Sequence, residues 1–416
     1  MHSFFRRLPP GLIVVLGFFS VHRAPAQPFT ITVHAGDHDR RETIVRAPLP
    51  ADINVSALAL SAQGRSVAWQ QGPDGATYFV VTTLAKGSVA TFELRGGSST
   101  KDAPMNSSGR ITTTKEDGRI HFALAMNGAT TRSLMSYQAE PGEFPRADIK
   151  PIFRRGGYLH PIRTPAGLQV TDDFPTNHVH HHGVWWAWTH TEFDGRQPDF
   201  WNMGDGKGRV EFAGTDATWS GELLAGFRSR HRFVDLTSGQ PVAALKEMWE
   251  VTAYSSSPSS KHWMFDVVSE QECATAKELK LPVYRYGGIG VRGNGDWNGK
   301  DKTFFLTSEG ETDRDKGNAT RGRWCDMSGD VSGKRAGMAV LCHPDNFRFP
   351  QPMRLHPSEP FFNFAPQQAG DMEIKPGGKY ISRYRFVIHD GPPDRTELER
   401  LWNDYAHPPK VTVSAR

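Results

Sequence analysis

Residues 158–201 hold six of the chain's 17 histidines and four of its 11 tryptophans. The densest part is His178-Val179-His180-His181-His182. Imidazole has the ordinary pKa nearest neutrality, so it can serve as acid, base, hydroxyl-binding group or metal ligand. Read as an extended segment, the run sets His178, His180 and His182 on one face and His181 on the other. Three imidazoles on one face can converge on a divalent metal. Alternatively, His180 and His182 transfer protons while His178 completes the group. Asp173, just before the run, can orient an imidazole or ligate. His160 and Arg163 add polar groups for a substrate. Tryptophan faces stack on sugar rings and also fill cores. Alternation puts Trp186 and Trp188 opposite Trp185, and Trp186 is the expected sugar platform.

Two further strips carry candidate residues. Residues 283–293 contain a formal G-x-G-x-x-G at Gly288, Gly290 and Gly293. A turn-forming Asn294-Gly295-Asp296 follows rather than a helix, which excludes dinucleotide binding. The glycines are expected to allow close approach within a strand. Arg285 and Arg292 offer guanidinium forks for a carboxylate or hydroxyls. His343 and Asn346 sit where an apolar run gives way to a loop, a common place for substrate-binding groups. There is no H-E-x-x-H, and Cys273, Cys325 and Cys342 form no C-x-x-C, so neither a zincin nor a thiolate zinc site is supported. The cysteines are expected to be buried, small apolar side chains.

The elements that must position these residues read as all-β. Alternating and β-branched runs are interrupted by 41 glycines and 29 prolines, and helical periodicity is scarce. Residues 1–26 read as a signal peptide: Arg6 and Arg7, an apolar run, then Ala24-Pro25-Ala26. The expected location is therefore periplasmic or secreted. Residues 27–97 form a small β module, residues 98–109 a polar linker, and residues 110–416 a large antiparallel β-sandwich. Within the large unit, KYISRYRFVIHDG should be a strand with Tyr380, Tyr384, Phe386 and Ile388 on one side. Near its end, Asp394 should cap a helix bearing Leu398, Leu401, Trp402 and Tyr405, stopped by Pro408-Pro409. Residues 1–26 carry three of the 49 basic residues and none of the 45 acidic ones. The remainder is close to neutral, which gives no footprint for nucleic acid or an anionic membrane.

Several of these motifs together resemble the DUF6807 family of exported bacterial proteins, also labelled the PmoA family after methane oxygenase. The matching residues are Tyr158, His160-Pro161, Thr164-Pro165-Ala166-Gly167, Thr171-Asp172-Asp173, His178 to Gly183, and Asp199-Phe200-Trp201. Tyr286-Gly287-Gly288 with Arg292, Arg323 to Asp326, and His343 to Asn346 follow. The resemblance runs over roughly residues 110–392. A membrane oxygenase subunit needs apolar spans of about 20 residues, and residues 27–416 contain none, so that activity is excluded. The strand order is similar to galactose-mutarotase-like sandwiches, which implies sugar handling on a concave face. The expectation is acid–base chemistry on a carbohydrate, of lyase, hydrolase or epimerase type. Non-catalytic carbohydrate binding and a metal-dependent enzyme acting on another small polar ligand are the alternatives.

Overall fold

The computed structural model describes residues 28–50, 58–96, 109–125, 131–257 and 259–415. The expected signal peptide and almost all of the expected linker lie outside these residues.

Two large antiparallel sheets face each other. One has eight strands. Four of them, Gly208–Trp219, Leu224–Asp235, Val242–Tyr254 and His262–Cys273, follow as consecutive hairpins. Tyr380–Asp390, Lys334–Cys342, Trp324–Val331 and Phe304–Thr307 complete it. Alternation of half-buried and buried residues from His262 to Gln271 shows why these runs are strands: one face is core. The KYISRYRF strand lies centrally, and Tyr380, Tyr384, Phe386 and Ile388 are all buried, as the alternation predicts.

The second sheet has nine strands. Its middle is Phe361–Phe364, Gly288–Arg292, Val184–Ala187 and Tyr158–Ile162 in that order. Trp186 packs on Tyr384 and Phe364 stacks on Tyr384, so Trp186, Ile289 and Phe364 point into the sandwich. The pleat then turns Trp185, Gly290, Arg292 and Phe361 to the opposite, outer face. That outer face carries the histidine segment.

The small module pairs Phe29–His34 with Val89–Gly96 and has its own core of Ile31, Val33, Leu58, Leu60, Phe79 and Leu94. The sequence placed residues 410–415 with the large unit. Instead, Lys410–Ala415 pairs along the whole of Phe29–His34 and completes the module's sheet. Nothing local signals such a partner, because strand pairing is set by contacts across the whole chain. A buried ion pair of 2.9 Å between Arg40 and Asp404 ties the module to the C-terminal helix.

That helix spans Arg395–Ala406. Asp394 accepts hydrogen bonds from the amides of Thr396 and Glu397, as a cap should. Glu397 does not reach back to close a capping box; Arg400 and Arg41 hold it. Leu398, Leu401 and Trp402 are buried against Trp324, Leu341 and Val387. All three cysteines are free. Among the described residues, no helix is long and apolar enough to cross a membrane.

Candidate active site

The histidine run is not extended. The amide of His178 donates to the carbonyl of Pro175 (3.1 Å), and the amide of His181 donates to the carbonyl of His178 (2.8 Å), so two tight turns succeed each other. Pro175 is the first residue of the first turn, with Thr176 and Asn177 at its centre. The strand begins only at Val184. At Gly183 the backbone passes so close to strand Tyr158–Ile162 that a Cβ would lie 2.3 Å from the Leu159 carbonyl oxygen. The expectation that His178, His180 and His182 share a face is therefore corrected, because turns remove the two-residue period on which it rested.

The turns gather a different set. His178 stacks on His181 at 4.7 Å, and His180 meets His181 edge-on at 4.7 Å. His356, from the loop after strand Gln351–Leu355, closes on His178 at 5.6 Å. These four imidazoles line a cleft of about 290 Å³ with Trp201, Asn202, Arg285, Tyr286, Arg354 and Phe361. Trp185 and Phe361 back Trp201 at 5.0 and 5.9 Å. Gly290 permits this layer: a Cβ there would sit 2.7 Å from the Trp185 ring and 2.8 Å from that of Trp201.

His182 turns away beneath the cleft. Its Nδ1 lies 2.6 Å from Asp173 Oδ1, its ring stacks on Tyr158 at 4.3 Å, and the Tyr158 hydroxyl donates to Asp173 Oδ2 at 2.9 Å. His160 is a neighbour of this group, with Nδ1 3.0 Å from the Thr171 hydroxyl. Asp173 thus orients an imidazole, as expected, but one sealed from the cleft.

Burial dominates the electrostatics. It lowers the pKa of His180 to about 4, helped by His178 and His182, and that of His356 to about 4, helped by Arg354 and His178. His181 falls well below its ordinary range, and burial with Arg292 lowers His178. All four are neutral at pH 7, so each carries one donor and one acceptor nitrogen. His356 Nδ1 already accepts from the amides of Ser358 (3.3 Å) and Glu359 (3.0 Å), which leaves its Nε2–H to donate. Below them, burial raises Asp173 to about 6 and pushes His182 well down. At pH 7 that pair is a carboxylate accepting from a neutral imidazole. His178 Nδ1, His181 Nδ1 and His182 Nε2 are buried without a hydrogen-bond partner among the described residues, as are Nε and Nη1 of Arg292.

The expected metal-binding set does not form. Among the described residues no three His, Cys, Asp or Glu side chains are placed to hold an ion. Ligands must aim lone pairs in the ring plane at one point about 2.1 Å away, whereas stacked rings such as His178 and His181 lie side by side.

The other expected residues disperse. Trp186 is 1% exposed inside the sandwich and has no face open to a ligand; Trp201 reaches the cleft lining but is itself only 2% exposed. Arg292 is buried under the cleft, where Nη2 donates to Asn298 (2.6 Å) and Glu359 (3.1 Å). Arg163 lies outside the cleft, its carbonyl accepting from the Trp263 indole. His343 packs on Tyr405 of the C-terminal helix, and Asn346 closes a turn on the Arg383 backbone. Both belong to the eight-stranded sheet's periphery. His356, Arg354 and Phe361 went unread in the sequence. Their one signal is the polar-aromatic stretch Arg354-Leu355-His356-Pro357, far along the chain from the histidine run.

Comparison with curated proteins returns no match. Solved structures of glycoside hydrolase family 36 alpha-galactosidases from Geobacillus stearothermophilus are similar at 11% identity. One is an AgaA variant in complex with 1-deoxygalactonojirimycin, with a TM-score of 0.26; the other is AgaB, at 0.27. The likeness covers 67% and 68% of this chain but 40% and 41% of theirs, so the chain spans about two fifths of their length. Scores this low carry no argument, and the sandwich assignment rests on the strand pairing itself. The sequence profile of DUF6807, a family of unknown function, matches residues 127–403. That is well over half of the chain, and the protein belongs to the DUF6807 family.

Proposed function

We propose that this is an exported carbohydrate-active protein whose imidazole cleft binds a sugar and moves a proton on it. One observation carries the reading: four neutral imidazoles line a small cleft, and two of them, His178 and His181, keep a nitrogen without a partner among the described residues. Neutral imidazoles suit hydroxyls, since each can donate and accept. Of the aromatic rings lining the cleft, Tyr286 is half-buried and offers its ring to the apolar face of a sugar. At about 290 Å³ the cleft lies at the small end of ligand pockets, roughly 300–1,000 Å³, which suits one ring rather than a polymer.

The proton chemistry follows from the pKa values. His180, lowered to about 4, is unprotonated at neutral pH and serves as the general base. Tyr286 lines the same cleft, and burial raises its phenol pKa, so it stays protonated and serves as the acid. A base and an acid in one cleft suit epimerase or lyase chemistry. His178 and His356 hold hydroxyls. Export rests on the signal-like first 26 residues.

The test is turnover of a panel of mono- and oligosaccharides by the full chain and by His180→Ala. Loss of general-base catalysis should slow turnover about 100-fold or more, with the thermal transition retained. The wild-type rate should hold from neutrality down to about pH 5 and fall as His180 protonates near 4. Unchanged turnover in His180→Ala rules His180 out as base. Sugar binding without turnover in the wild type makes the protein a lectin-like binder instead.

A further inference from the structure

The cleft does not end at the imidazoles. Arg285 and Arg354 form a ridge between it and a second hollow of about 440 Å³, which Arg321, Asn318, Tyr284 and Gln368 help to line. Neither lining contains an aspartate or a glutamate. Arg285 is exposed, and its guanidinium lies over the rings of Tyr284 and Tyr286 at 5.8 and 5.5 Å. Arg354 is half-buried and donates only to neutral oxygens, Asn318 Oδ1 at 3.1 Å and the Leu355 carbonyl at 3.5 Å. Arg321 likewise spends itself on the carbonyls of Arg348 and Pro350.

The nearest carboxylates are taken. Glu359 accepts from Arg292 and Asn177, Asp199 accepts from Thr189, Asn202 and the amide of Trp201, and Asp371, beside the second hollow, accepts from the amide of Val283. The imidazoles are neutral and add no charge of either sign. Guanidinium groups gathered without a carboxylate, beside low-dielectric walls, focus a positive potential. Their planar forks match carboxylates in particular.

We propose that the two hollows together bind an acidic oligosaccharide, with its carboxylate held between Arg285 and Arg354 and one sugar ring on either side. This rests on the carbohydrate reading of the cleft and names its substrate class.

The experiment titrates the full chain with trigalacturonate, its carboxyl-reduced neutral counterpart and a sulfated trimer, by calorimetry at low and high salt. The acidic trimer should bind, weakening with salt. The neutral trimer should bind about ten- to hundredfold more weakly, the worth of a charge-assisted hydrogen bond. Arg285→Gln and Arg354→Gln should each bring the acidic trimer towards the neutral one. Arg285 is exposed, so Arg285→Gln keeps its fold even if Arg354→Gln does not. Equal binding of the sulfated trimer supports the same site with sulfate as the source of charge. Equal binding of acidic and neutral trimers, unmoved by either variant, overturns the anionic ligand and leaves the sugar reading standing. Binding of none of the three overturns both.

Discussion

Two regions of this protein use the same side chains to opposite ends. Inside the sandwich, His231 and Glu247 sit in a closed polar chain. The Tyr137 hydroxyl is 2.7 Å from His231 Nε2, and His231 Nδ1 is 2.9 Å from Glu247. Ser269 and Gln271 donate to the other Glu247 oxygen at 2.6 and 2.7 Å, and Trp188 donates to Gln271 at 2.7 Å. Burial pushes the Glu247 pKa up, but these hydrogen bonds together outweigh it and leave it lowered. The chain links both sheets and spends its polar atoms. On the outer face of the nine-stranded sheet, His181 and Arg292 are also buried and His178 is half-buried, yet all three keep buried polar atoms without partners among the described residues. A closed network adds rigidity, whereas an unspent one costs stability and offers groups to a ligand.

The largest effect should come from breaking the closed network. Glu247→Ala leaves His231, Ser269 and Gln271 without their acceptor inside the sandwich and should cost about 3–5 kcal/mol, the usual penalty for orphaning a buried partner. Chemical denaturation reads it. A loss below about 1 kcal/mol would mean that the interior chain is as loosely held as the cleft.

Acid should act next, and through the outer face. His160, His180 and His356 have folded-state values of about 4 against an ordinary 6.5. The unfolded chain therefore takes up these protons first. Their contribution is intact above 6.5 and is lost progressively as pH falls towards 4. His181 and His182 act in the same direction. Asp173, raised to about 6, and His389, raised against burial by Asp326, act in the opposite one. His38, His178, His262 and His343, also lowered by burial, act with the first set, and Asp172, raised by burial, with the second. The lowered imidazoles outnumber the opposing groups, so the melting temperature should fall between pH 6.5 and 4, and less steeply in a His180→Ala, His356→Ala double variant. A flat profile would break the assignment of burial-lowered imidazoles to the cleft.

The smallest effect on stability should come from the cleft's own rim. His178 is half-buried and its Nδ1 has no partner among the described residues. His178→Ala should shift unfolding by less than about 1 kcal/mol. A shift as large as that of Glu247→Ala would make the cleft histidines structural and erase the contrast.

Periodic elements could be read from the residues. The alternation in Tyr380–Asp390, the Asp394 cap and the stripe through Leu398, Leu401 and Trp402 all appear in the structure. The glycines of residues 288–293 allow close approach, as expected: Gly290 against Trp185 and Trp201, and Gly293 against Trp297. Asp173 does orient a histidine. What the residues could not show was which way the histidine run bends. Alternation was applied to residues 178–182, where two turns cancel it. The same rule placed Trp186 and Trp185 correctly on opposite faces, yet could not say which face was core. The sandwich partner, Tyr384, decided that.

The sequence by itself determined the strands, the C-terminal helix and the neighbourhood of the site. Side-chain periodicity, caps and local density of imidazole and indole are properties of short windows. Only the tertiary structure decided which side chains meet. It separated His182 from His178 and His180, and brought Arg354 from a distant strand and His356 and Arg285 from distant loops to them. It also paired the last strand, Lys410–Ala415, with the first, Phe29–His34. The reason is physical: a window of sequence records which face a residue prefers, whereas a site depends on which faces the packed sheets set against each other.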